Sequence, residues 1–349
     1  MASRTEQLAF AGLQTARVAF YGAHYLAARL LARDNIAEAA KPAHKLPSLA
    51  TMARAMADLF AQDWKNVEAG LYPAPLNIVK EIGRATKSVD YFRDMPGMVK
   101  RQKRHGHDEV PEKNDLPRYY RQNFHYQTDG YLSDRSAKIY DFQVEALFAG
   151  TADAMRRRAY VPVAKFLETR DPAKTTLLDI GAGTGRFLAF VKSVQPELKV
   201  TALDLSVPYL ARARRALRGK KGTAFIEAAA EKIPLPDASA DIVTSIYLFH
   251  ELPPKIRAAA AKEIARVLKP GGLFVLADTI QYGDAPGFDG LLDIFPALLH
   301  EPYYATYAKT DLNKLFGGLK RTGNDVAYLT KISVFEKAAV NRRSKRKIV

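Results

Sequence analysis

The stretch LLDIGAGTGRF, residues 177–187, places glycines at 181, 183 and 185 directly after a run that reads as a buried strand. Glycine lets the backbone turn sharply and approach a neighbour with no Cβ in the way. An ordinary loop has the same composition, so the flanking sequence decides. TTLLDIG (175–181) has the pattern of a buried strand and GRFLAFVKSV (185–194) that of a helix. Further strands are predicted at KVTALDLS (199–206), TAFIEAAA (223–230), ADIVTSIYLF (240–249) and GLFVLADTI (272–280). Helices are predicted at 207–218 and 253–268, a late helix at 311–319 and a closing hairpin at 325–338. Short apolar strands alternating with amphipathic helices require a mostly parallel sheet covered on both faces, an α/β fold.

In such a sheet a ligand binds in the crevice at the carboxyl ends of the strands. The glycine turn follows Asp179 at the end of the first strand, which is the context of a nucleotide-type cofactor site. A dinucleotide fingerprint would space its third glycine three residues after the second, whereas Gly185 follows Gly183 by two. That tighter run suits a cofactor without a pyrophosphate. The second strand ends in Asp204, placed to accept hydrogen bonds from ribose hydroxyls. The competing role of helix cap falls to Ser206.

LLDIGAGTGRF, VTALDLS, AAAEKIPLPDASADIV and RVLKPGGLFVLAD, in this order, resemble the class I S-adenosylmethionine-dependent methyltransferases. Among these, the sequence is most similar to the small-molecule group that includes the ubiquinone and menaquinone methyltransferases. The resemblance covers about 170–338. It implies a Rossmann-like, seven-stranded, mostly parallel sheet with a reversed last strand, and S-adenosyl-L-methionine as cofactor. It further implies that Asp179, Gly181, Ala182, Gly183 and Gly185 hold the methionine end of the cofactor. Asp204, with Leu205 beside it, holds the ribose, and Ala230 and Glu231 line the adenine through backbone N–H groups. The family often carries an acidic residue where this chain has Ala229. Three readings of that departure stand: Glu231 substitutes, a backbone carbonyl substitutes, or the adenine is held more loosely.

An activated methyl group needs an aligned nucleophile, exclusion of water and, where the nucleophile carries a proton, a base. The fourth predicted strand runs into IYLFHELPP (246–254), so Tyr247 falls at the substrate side and His250 and Glu251 at the reacting centre. His250 is read either as a neutral base or as a packing histidine. This segment lacks the Asn/Asp-Pro-Pro-aromatic tetrapeptide of amino-directed nucleic-acid methyltransferases. The absence of cysteine excludes a thiol nucleophile and disulfides. Residues 281–310 are long and aromatic for a connection and read as a lid, against the alternative of a packed cap. They end in His300-Glu301 and Pro302-Tyr303-Tyr304, which makes His300 and Tyr303 catalytic candidates and Glu301 and Tyr304 substrate candidates. The two His-Glu pairs form a ligand set suited to iron or zinc, but they sit on different elements without helical spacing. No metal is expected; acid–base work or substrate anchoring is preferred.

Residues 1–150 lack strand–helix alternation and form a mostly helical region, with helical patterns at 5–39 and 47–69. Residues 151–340 form the methyltransferase domain, and 341–349 a basic tail expected to be disordered. The segment 98–120 is charged, carries prolines and reads as an exposed linker. Residues 140–169 read as one or two helices. The helix at 8–31 carries Arg17 and Arg29, with Arg33 beyond it; it suits a roof over the substrate pocket or a peripheral membrane contact. The segment 123–143 precedes the first strand and offers Tyr126, Tyr131 and Tyr140 as pocket residues.

The net charge of +16 favours anionic partners. No window has the roughly 18 uncharged apolar residues of a spanning helix. The N-terminal stretch lacks the pattern of a secretory signal, and Glu6 argues mildly against a mitochondrial transit peptide. A cytoplasmic protein is expected, with membrane association left open. The leading expectation is a methyltransferase acting by direct displacement on a carbon or oxygen of a small hydrophobic or lipid-like acceptor. An RNA methyltransferase and a catalytically inactive cofactor-binding assembly protein are the alternatives. No oligomeric interface is legible in the pattern.

Overall fold

The computed structural model describes residues 3–31, 41–103 and 116–339. Among the described residues seven α-helices come first: α1 (Arg4–Leu31), α2 (Leu49–Glu68), α3 (Ile78–Ala85), α4 (Ser88–Lys103), α5 (Asp134–Leu147), α6 (Ala152–Arg158) and α7 (Tyr160–Leu167). The alternating part follows: β1 (Thr176–Ile180), α8 (Arg186–Val194), β2 (Lys199–Asp204), α9 (Val207–Ala216), β3 (Thr223–Glu227), β4 (Ala240–Ile246), α10 (Pro254–Val267) and β5 (Leu268–Thr279). It closes with α11 (Asp289–Leu299), α12 (Tyr304–Tyr307), α13 (Leu312–Leu315), β6 (Lys320–Ala327) and β7 (Thr330–Glu336). Local chemistry marks several starts. The hydroxyls of Ser48, Ser133 and Ser206 accept the N–H groups of Thr51, Ser136 and Tyr209, which caps α2, α5 and α9.

The strands form one sheet in the order β3-β2-β1-β4-β5-β7-β6. All pairs from β3 to β5 are parallel, and β7 runs antiparallel to both β5 and β6. The strand order reverses between β1 and β4, which opens a crevice at their carboxyl ends. Successive residues of a strand face opposite sides. Leu177, Val200, Ile242, Leu273 and Val275 therefore pack under α7 and α8, while Leu178, Ile180, Leu203, Val243, Phe274 and Leu276 pack under α10. Burial on both faces is why the strands read as unbroken apolar runs.

The N-terminal helices share this core. Phe10 of α1 meets Trp64 of α2 at a ring-centroid distance of 5.4 Å, and both belong to the cluster that contains β1 and β2 residues. A buried charge network ties the same helices to α8. Arg17 pairs with Glu81 and with Glu145 at 2.9 Å; Arg186 donates to Glu145 at 2.6 Å and to Asp153. Burial opposes the charge on Asp153, but Arg186 and Arg84 outweigh it and hold its carboxyl well below the usual range.

Several expectations change. Arg17 is buried in this network and does not reach a headgroup layer, because Glu81 and Glu145 capture its guanidinium. Arg33 and the basic tail at 341–349 lie outside the described residues. The stretch 98–120 is no exposed linker throughout: α4 runs to Lys103, and Arg101 is buried with its Nε donating to the Tyr126 carbonyl at 2.8 Å. The late helix shrinks to Leu312–Leu315, and Ala228–Ala230 leave β3 for the crevice. Residues 140–169 hold three helical pieces, broken where Ala149 and Gly150 take left-handed φ angles of 47° and 80°. Among the described residues no helix is long and apolar enough to cross a membrane.

Gly185 has φ 74°, and a Cβ there would stand 2.9 Å from the Ala213 Cβ on α9. Gly219 has a similar φ of 75° with nothing within 4 Å. Gly219→Ala should therefore cost about 1–2 kcal/mol, the strain of a left-handed alanine. Gly185→Ala should cost clearly more, since α8 and α9 must also separate. Denaturant midpoints of the two variants check this ordering.

Candidate active site

The crevice at the β1/β4 reversal is walled by the glycine turn, the end of β2, the loop after β3 and the segment after β4. Its lining includes Gly181, Gly183, Asp204, Leu205, Ala228–Ala230, Tyr247, Leu248 and Glu251. Tyr119, Tyr120, Tyr131, Tyr140 and Tyr209 close the other side, around an empty volume of about 650 Å³. The three glycines serve different ends. Gly181 has no room for a Cβ against Leu248, at 3.0 Å, and Gly185 has none against α9. Gly183, at φ 55°, faces open space, with only Tyr209 Cδ1 at 4.0 Å from a hypothetical Cβ. A side chain there would fill the crevice.

Asp204 fastens this turn to the neighbouring strand. Its Oδ2 accepts the Gly183 N–H at 2.7 Å and its Oδ1 the Ser206 N–H at 2.8 Å. Burial pushes its carboxyl up to about 6, against these backbone donors. Asp179 lies behind the turn, 1% exposed, accepts from the Thr244 hydroxyl at 2.6 Å and is not on the crevice wall. Burial lifts it to about 7, and the nearby Asp204 adds to the rise. Ala182 is buried under the sheet. Glu231 accepts from the Tyr119 hydroxyl at 2.8 and 3.0 Å, which seals the edge beside Ala230. Glu251 projects from the other wall and accepts from the Tyr131 hydroxyl at 2.5 Å.

Free carboxylate lone pairs at Asp204, a backbone bared at Gly183 and small residues at 228–230 fit an adenosylated amino acid. Residues 178–276 match the family model of the methyltransferase domain. The chain carries a class I S-adenosylmethionine-dependent methyltransferase domain. Its sequence is 37% identical over 123 residues to a ubiquinone/menaquinone biosynthesis C-methyltransferase of Methylobacterium nodulans, covering 34% of this chain and 47% of that protein. It is 36% identical over 144 residues to a demethylmenaquinone methyltransferase of Chlorobaculum tepidum, covering 40% and 55%. It is 37% identical over 112 residues to a malonyl-[acyl-carrier protein] O-methyltransferase of a Marinomonas strain, covering 32% and 40%. The match thus spans about half the length of these curated relatives or less. A solved S-adenosylmethionine-dependent methyltransferase from Aquifex aeolicus aligns over 50% of this chain and 87% of its own, with 21% identity and a TM-score of 0.37.

The methyltransferase domain keeps its histidines away from the crevice lining. His250 is 4% exposed, with Nδ1 2.6 Å from Asp278 Oδ1 and Nε2 3.9 Å from both Glu251 and Glu301. Burial disfavours its charge, but Asp278, Glu301 and Glu251 outweigh burial and raise it to about 10. These carboxylates favour the imidazolium form of His250 over the neutral base of the sequence reading. His300 is turned to Tyr126, with ring centroids 5.2 Å apart, and its left-handed backbone ends α11. Tyr303 accepts from Gln122 Nε2 at 2.9 Å, and Tyr304 is buried against His250. The Tyr247 ring lines the crevice, and its hydroxyl meets Thr330 Oγ1 at 2.5 Å. Glu301 is 3% exposed beside His125 and His250. Among the described residues no group of three or more His, Asp or Glu is placed to hold a metal ion.

A second cavity adjoins the first. It is lined by Tyr25, Tyr91, Met95, Met98, Val99, Val144, Leu147, Leu298 and Leu299 on α1, α4, α5 and α11, with His125, Tyr126 and Tyr140 at one end. Tyr140 belongs to both walls. Tyr119, Tyr120 and Tyr209 escaped the sequence reading. The first two fall in the stretch taken for a linker, and Tyr209 lies in the helix predicted at 207–218. The one available signal was the clustering of Tyr119 and Tyr120 shortly before the aromatic segment at 123–143.

A group whose folded pKa is raised contributes stability below its unfolded value and loses it as pH rises. The His250 contribution should be complete below pH 6.5 and fade toward pH 10. Nitrogen-detected NMR of the histidine rings should show His250 doubly protonated at pH 8. A neutral tautomer at that pH would contradict the assignment.

Proposed function

We propose that this chain transfers a methyl group from S-adenosylmethionine to a small, hydrophobic, lipid-like acceptor. The observation that carries this reading is the apolar cavity of the N-terminal helices, which meets the crevice at Tyr140. The cofactor, once bound, supplies a methyl carbon already activated by a positively charged sulfur. Asp204 takes the ribose hydroxyls on its remaining lone pairs, Gly183 admits the methionine end, and Ala228–Ala230 admit the adenine edge. Glu251 and the faces of Tyr131, Tyr140 and Tyr247 offer negative charge and aromatic surface to a cation. Residues 1–150 act as a roof that selects the acceptor by burying its apolar part. Leu298 and Leu299 bring the 281–310 insertion into that roof. The quinone- and acyl-carrier-directed activities of the relatives agree with an acceptor of this character.

Three outcomes are expected. Calorimetry should detect binding of S-adenosylhomocysteine to the folded chain. Asp204→Ala should weaken it by about 10- to 150-fold, since a charge-assisted hydrogen bond contributes about 1.5–3 kcal/mol. Labelled methyl should pass from the cofactor into a lipid extract and not into total RNA. Label in RNA alone would replace this reading with a nucleic-acid activity. Label in neither, with cofactor binding intact, would leave a binding protein without transfer.

A further inference from the structure

The apolar cavity carries, besides the shared Tyr140, a histidine that the sequence did not single out. His125 lines the apolar cavity, and its Nε2 lies 3.4 Å from Oε1 of Glu251, which lines the crevice. Its Nδ1 is buried without a hydrogen bond, 3.5 Å from Glu301 Oε1. Glu301, 3% exposed, also leaves its Oε2 without a hydrogen-bond partner. Buried polar atoms normally find partners, and an unmet one on a residue that lines a cavity, as His125 does, points to a ligand atom. The backbone agrees. His125 and Tyr126 take φ angles of 55° and 53°, a conformation that side chains with a Cβ adopt only where the surroundings impose it. Arg101 imposes it by donating from Nε to the Tyr126 carbonyl at 2.8 Å and from its other end to Thr128 Oγ1 at 2.8 Å.

The chemistry of this junction selects its ligand. His250 is held by Asp278 through Nδ1 at 2.6 Å, whereas neither nitrogen of His125 has a carboxylate within hydrogen-bond geometry. An acidic acceptor would bring a third negative charge beside Glu251 and Glu301. An ammonium group has no lone pair to offer as a nucleophile. A neutral hydroxyl donates to an imidazole nitrogen without either conflict. We propose that His125 receives the acidic hydroxyl of the acceptor, whose apolar body fills the cavity of α1, α4, α5 and α11, and takes the hydroxyl proton. The proton passes from the acceptor oxygen to the imidazole, and the electron pair stays on that oxygen as the nucleophile. Glu251 and Glu301 stabilise the imidazolium that results. This assignment rests on the methyltransferase reading above.

The test uses 2-nitro-4-octylphenol, whose anion is coloured, with the full chain saturated in S-adenosylhomocysteine. The wild type should bind the probe and raise its ionised fraction by about tenfold at a pH one unit below the probe's own pKa. Asparagine tolerates a left-handed backbone but is no base. His125→Asn should therefore bind the probe within about threefold of wild type and leave it neutral. Glu301→Gln should bind it and reduce the ionised fraction about threefold or more. A probe that fails to bind the wild type, stays neutral there, or ionises in His125→Asn or in Glu301→Gln as fully as in the wild type overturns the proposal. Loss of S-adenosylhomocysteine binding by the wild type itself would instead remove the cofactor reading on which it stands.

Discussion

Everything in the crevice depends on one carboxylate. Asp204 sits at the end of β2 and accepts the Gly183 N–H across the neighbouring strand end and the Ser206 N–H at the start of α9. Those two bonds fix the turn, the helix start and the distance between them. They also hold a half-buried carboxylate against a desolvation penalty that lifts its pKa to about 6. A polar group kept in so unfavourable a place gives the strand ends a defined rim. Asp204 itself lines the crevice at that rim.

The second organising feature is the charge network of Arg17, Glu81, Glu145, Asp153 and Arg186. It joins α1, α3, α5 and α6 to the first residue of α8, directly behind the glycine turn. Removing one partner of such a buried set strands another charge, which makes the arrangement specific in register. The N-terminal helices are thereby fixed to the same element that carries the turn, and their apolar cavity meets the crevice in a defined place. The apolar cavity and the crevice thereby share one wall, at Tyr140.

The carboxylates around His250 show how burial and charge compete. Burial alone would leave this histidine neutral, but Asp278 at 2.6 Å and two glutamates at 3.9 Å reverse the balance. The same histidine thus stands between Asp278, Glu251 and Glu301, which favour its charged form.

The sequence by itself determined the sheet and the turn. Apolar runs of strand length, a helix period between them and glycines at 181, 183 and 185 are local patterns, and β1, β2, β4 and β5 lie where those patterns put them. Asp204 and Gly183 were legible because backbone geometry places a strand end and its following turn at the crevice in any sheet of this kind. Only the tertiary structure decided which of the scattered His, Glu and Tyr residues meet. His250 and His300 form similar His-Glu pairs, yet one is clamped by Asp278 and the other turns to Tyr126. His125 and Tyr119 reach the site from a stretch without periodicity. The closure of a cavity depends on groups more than a hundred residues apart in the chain, as Tyr119 and Glu231 are, and no local pattern encodes such distances.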